Sequence, residues 1–109
     1  MRIWDLPPRL LCDRHLLGEH RELHAIWTVI TRHRQGYSRH PETLRWHGRL
    51  RALFLRHKSL LREFARRGFR HASPLDARRA TGSARQSVFV NTRAEQRERL
   101  RAKGCACRV

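Results

Sequence analysis

A chain of 109 residues with 39% hydrophobic content has material for one core, which excludes a multidomain assembly. Lys and Arg total 25 against 9 Asp and Glu, a formal net charge of +16, so the expected partner is a polyanion rather than a basic or neutral surface. No apolar run suits a signal peptide or a membrane span, and three cysteines give no even disulfide framework, so a cytoplasmic protein without a membrane partner is expected.

Residues 1–11 read as an extended arm. Pro7 and Pro8 exclude helix for the residue before them, and Ile3, Trp4 and Leu6 can anchor the arm to a core. Residues 12–34 form the first expected helix, with Asp13 as N-cap or first-turn acid; Leu16, Leu23, Ile26, Trp27 and Ile30 share a face, and the helix ends toward Gly36. It carries His15, His20 and His24. His20 and His24 are four apart and could share a metal with Glu19 nearby, but the spacing fits neither His-Glu-x-x-His nor its inverted form. They are read as core or phosphate-contacting imidazoles, and no metal or other cofactor is expected.

Residues 36–43 are a polar connector whose Pro41 and Glu42 open a second helix, 41–68. Its stripe of Trp46, Leu50, Leu53, Phe54, His57, Leu60, Leu61 and Phe64 has the 3.6-residue period of a core face, and Gly68 is its stop. Residues 70–87, rich in Ser, Pro, Gly and Arg without a period, read as a loop that either tracks phosphates or is a solvated connector. Val88-Phe89-Val90 is a short apolar patch expected to dock on the helix pair. Thr92-x-x-Glu95 is a capping box opening a third helix, 91–104, with Arg93, Arg97 and Arg101 along one face. Cys105-x-Cys107 could hold a metal or form a strained bridge, but reads foremost as two free thiols on a frayed end. The expected architecture is therefore all-α: a single, monomeric three-helix domain with the N-terminal arm threaded between the helices.

The chemistry concentrates at the start of the chain: Met1-Arg2, Asp13-x-His15-Leu16 and Glu19-x-Arg21-Glu22-Leu23, followed much later by Arg67-Gly68-Phe69. In ungapped register from the first residue, this arrangement resembles the phage endonuclease V family of pyrimidine-dimer DNA glycosylases, over roughly residues 1 to 70. The resemblance implies a DNA glycosylase with coupled abasic-site lyase activity on lesion-bearing double-stranded DNA, the lesion being a cyclobutane pyrimidine dimer in the first reading and another damaged base in the alternative. It implies the α-amine of Met1 as nucleophile and Glu22 as the catalytic carboxylate. Arg2 and Arg21 are implied phosphate clamps, His15 a further DNA contact, and Arg93 and Arg97 the counterparts of basic residues on a late family helix. Two departures stand out. Arg2 is too large for the initiator methionine to be trimmed, so Met1 itself would react, and no aromatic-rich tail follows Cys107.

The residues support such chemistry on their own terms. An α-amine has an unperturbed pKa of about 7.7–8.0 against about 10.4 for lysine, so roughly a tenth is the neutral nucleophile near pH 7. It can form an imine with a sugar carbon, and a nearby carboxylate can stabilise the developing positive charge and move protons. On a helix, Gly18 and Ala25 flank Glu22 on its own face and leave a hollow beside it. Against this, an Arg-Glu neighbour pair is usually a solvated surface pair contributing about 0–1 kcal/mol. Two rival readings remain: a non-enzymatic basic nucleic-acid-binding protein, and, more weakly, a histidine-coordinated metal-dependent hydrolase.

Overall fold

Two amphipathic helices bury their apolar stripes against each other, and the rest of the chain is fastened to that pair. In the computed structural model, which describes residues 2–36, 38–70 and 73–109, four helices form: α1 (Asp13–Thr31), α2 (Pro41–Leu44), α3 (Leu50–Arg67) and α4 (Arg93–Ala102). Short 3-10 turns lie at Pro8–Leu10 and Ala77–Arg79, and among the described residues there is no strand, only an isolated bridge between Arg49 and Gly82. Leu16, Leu23 and Ile26 of α1 meet Leu53, Leu60 and Phe64 of α3 in a core closed by Leu100 of α4. Each such side chain contributes roughly 1.5–3 kcal/mol by leaving water. The all-α expectation therefore holds with four helices instead of three.

The expected helix over 41–68 is broken. Residues 41–44 make one turn, capped by His40 Nδ1, which accepts from the Glu42 amide at 3.1 Å. Gly48 then takes a left-handed φ of 74°, and a new helix starts at Leu50. The break is stabilised from outside: the Arg51 and Ala52 amides of α3 donate to the carbonyls of Thr81 and Ser83 at 2.8 and 3.1 Å, and the Ser83 amide donates to Gly48. A distant segment thus satisfies amides that a helix start leaves open. The hydrophobic stripe continues across the break, with Trp46 buried ahead of it and Leu53 and Leu60 after it. The loop over 70–87 is not a free connector; its 81–83 stretch caps α3.

Gly82 makes that cap possible. Its φ is 82°, and a Cβ there would run into the Gly48 carbonyl. Gly82→Ala is expected to destabilise the fold by roughly 1–3 kcal/mol, read as a lower urea midpoint at unchanged slope; an unshifted midpoint would mean that the 81–83 cap contributes nothing to stability.

α1 ends at Thr31, earlier than Gly36 suggested. Thr31 Oγ1 donates back to the Trp27 carbonyl at 2.7 Å, and His33 takes the left-handed position at φ 51° usually left to glycine. α4 has the capping box expected of Thr92 and Glu95. The Val88–Val90 patch does not dock by its side chains on the helix pair: Arg45 donates to the Val88 carbonyl at 2.9 Å, Arg93 lies over Phe89, and all three side chains stay exposed.

The arm lacks a strand partner, so side chains satisfy its backbone. The Ile3 amide donates to Glu42 at 3.1 Å, the Trp4 amide to Glu19 at 3.1 Å, and the Asp5 amide to Gln96 at 2.8 Å. Arg45 donates to the Ile3 carbonyl and Arg56 to that of Leu6. With Ile3, Trp4 and Leu6 buried, residues 3–6 are tied to α1, α2, α3 and α4.

Candidate active site

Residues of α1 and the arm line a cleft of about 540 Å³: Arg2, Trp4, His15, Gly18, Arg21 and Glu22 are among them, with Arg14 and Lys103 adding charge at its edge. Its size lies within the usual range for ligand clefts. Gly18 helps to open it, for a Cβ at that position would meet nothing within 4 Å. Of the two small residues expected to flank Glu22, Gly18 lines the cleft and Ala25 does not.

Glu22 is half-buried in this cleft, and among the described residues its carboxylate has neither a hydrogen-bond nor an ion-pair partner. The other acidic residues are all engaged. Asp5 and Glu42 hold Arg45, Asp13 and Glu63 hold Arg67, Glu19 holds Arg56, Asp76 holds Arg78, Glu98 holds Arg101, and Glu95 closes the capping box. In a chain of net charge +16, and among the described residues, this carboxylate stands in a cleft with four basic side chains and pairs with none of them.

Glu19, one turn away, has the opposite role. Its side chain is fully buried, receives Arg56 on both oxygens at 2.6 and 2.9 Å, and also accepts from the Trp4 amide. Burial pushes its carboxyl above the usual range, and the Arg56 pair opposes that shift. Glu19 positions the arm. Arg2, half-buried, stacks 5.2 Å from the Trp4 ring, and burial lowers its guanidinium pKa from the ordinary value.

The structure therefore brings Arg2, His15, Arg21 and Glu22 to one cleft. Met1, expected as the nucleophile, lies outside the described residues. Arg93 and Arg97 do not line this cleft. Arg93 donates through Nε to the Asp5 carbonyl at 3.0 Å and lies 5.3 Å over Phe89, beside a separate hollow that includes Trp46 and Arg56. Sequence reasoning missed Arg14, Trp4 and Lys103 as wall residues. Arg14 had a signal, for it shares the helical face of Gly18, Arg21 and Glu22. Lys103 had none, because only tail docking brings it there.

Residues 1–77 match the family described as pyrimidine dimer DNA glycosylase, well over half of the chain and all of the cleft except Lys103. No curated protein and no solved structure matches the chain. Among the described residues no helix is long and apolar enough to cross a membrane.

Proposed function

Because the chain belongs to the pyrimidine dimer DNA glycosylase family, we propose that it excises pyrimidine dimers with a coupled abasic-site lyase step, using the Met1 α-amine as nucleophile and Glu22 as the catalytic carboxylate. The observation that supports the second assignment is the Glu22 carboxylate inside a basic cleft, without a partner among the described residues. The amine attacks the anomeric sugar carbon and gives up a proton, the glycosidic bond breaks, and the freed pyrimidine takes up a proton while staying joined to its partner through the cyclobutane ring. The ring-opened imine then acidifies the neighbouring C–H. Loss of that proton expels the 3′ phosphate and cuts the strand. Glu22 offsets positive charge on the sugar in the first stage and relays protons in the second.

The arm, read as threaded between the helices, would deliver the amine: Glu42, Glu19 and Gln96 grip the amides of residues 3, 4 and 5, and Arg2 lines the cleft. Arg2 and Arg21 would clamp phosphates on either side of a nucleotide turned out of the duplex, with His15 against the same strand and Arg93 and Arg97 contacting flanking duplex. One chain suffices for these contacts, so the protein would act as a monomer.

Borohydride trapping tests the reading. Untagged protein incubated with abasic or ultraviolet-irradiated duplex should give a covalent adduct on the Met1 peptide. An amino-terminally extended or acetylated chain should bind the DNA and give none. Salt-sensitive binding without any adduct on the unmodified chain would overturn the reading in favour of a non-enzymatic nucleic-acid-binding protein.

A further inference from the structure

The tail thiols, expected on a frayed end, are packed against the start of α1. Cys12 Sγ lies 3.1 Å from His15 Nδ1, Cys107 Sγ lies 3.5 Å from the same nitrogen, and these atoms and the Cys105 sulfur all lie within 4.8 Å of one another. Sulfur and nitrogen ligands of one tetrahedral zinc, bonded at about 2.3 and 2.0–2.1 Å, sit roughly 3.5–3.8 Å apart. The donors are already close to that arrangement. The Cys12 amide donates to Cys107 Sγ at 3.1 Å, a contact suited to a thiolate acceptor, and the Arg108 amide fixes the tail on the Leu10 carbonyl at 2.7 Å.

We propose that Cys12, His15, Cys105 and Cys107 bind a structural zinc ion that staples the C-terminal tail to the N-terminus of α1. Four protein ligands make a closed site, which is structural and not hydrolytic in character. A bound divalent cation deprotonates the thiols that coordinate it. The staple would hold His15 and Lys103 in the wall of the Glu22 cleft.

A different observation carries a second ion. The Nε2 atoms of His20 and His24 on α1 and of His57 on α3 form a triangle with sides of 3.3, 3.2 and 3.2 Å. Three such contacts cannot all be hydrogen bonds. A neutral imidazole offers at Nε2 either a proton or a lone pair, so within any three at least one pair must meet like to like. Three nitrogens on one tetrahedral metal at 2.0–2.1 Å are roughly 3.3–3.4 Å apart. We infer that His20, His24 and His57 share a divalent ion of the zinc class, tying α1 to α3.

Both inferences stand apart from the glycosylase reading, and the test uses no DNA. Untagged chain from zinc-supplemented culture should carry about two zinc ions, one per cluster. Cobalt exchanged for zinc should show thiolate-to-metal absorption in the near ultraviolet. One ion with that band supports the cysteine site and overturns the histidine site; one ion without it does the reverse; no bound metal, or a chain two mass units light from a disulfide, overturns the cysteine site, and no metal at all overturns both. The C105S/C107S variant should keep one ion and lose the band, and H57Q should lose one ion and keep the band.

Discussion

Glu22→Gln is expected to bind damaged duplex within a few-fold of the wild-type chain while cutting it roughly 10²–10⁴-fold more slowly, the range that a positioned acid–base group supplies. The substitution preserves the shape of the side chain and removes only its charge and its capacity to take a proton. Because no described residue depends on that carboxylate for an ion pair, the fold should not notice the change. Single-turnover cleavage and equilibrium binding, measured on one duplex at one salt concentration, separate the two effects. A cleavage rate equal to wild type would remove Glu22 from the chemistry. If the amine still forms a trappable imine but the strand stays intact, the carboxylate acts mainly in elimination; if trapping also falls, it acts already at the glycosidic bond.

Arg45→Met should destabilise the protein by about 3–5 kcal/mol, the usual cost of breaking a buried ion pair from one side. The Arg45 side chain is only 2% exposed and joins Asp5 at 3.1 Å, Glu42 at 2.7 Å and the carbonyls of Ile3 and Val88, with its guanidinium 4.6 Å from the Trp46 ring. Methionine keeps part of the stem packing but leaves two carboxylates without their cation. Adding Glu42→Gln should recover part of the loss, since the amide oxygen can still accept from the Ile3 amide. Urea unfolding of both variants checks this, and a single-variant loss below about 1 kcal/mol would mean that Arg45 is not what holds the arm. Because the arm carries the proposed nucleophile, strand cleavage by Arg45→Met should fall even where the chain remains folded.

These two residues mark how differently the site and its support can be read. Glu22 is legible because it sits in a short-range pattern, with Arg21 beside it and Gly18 one turn back, and a helix converts such spacing directly into geometry. Arg45 is not. It lies where the periodic pattern predicts uninterrupted helix, and its partners at positions 3, 5, 42 and 88 are mostly remote in sequence. The break at Gly48 is hidden for the same reason, as its cap comes from residues 81–83. In the sequence His57 reads as a core position of the α3 stripe, which it is; that its ring faces His20 and His24 depends on how two helices are rotated against each other.

Sequence alone determined the features that local spacing and composition carry: two amphipathic core helices, a capping box, a polyanion-binding charge, and an acid beside a small-residue hollow on α1. Tertiary structure decided which groups from distant positions share a point: the side-chain hooks on the arm, the cap on α3, and the meeting of Cys12 and His15 with the tail. Local pattern is set by backbone periodicity, which each segment carries within itself. Convergence is set by chain return and side-chain direction, which exist only once the core has closed.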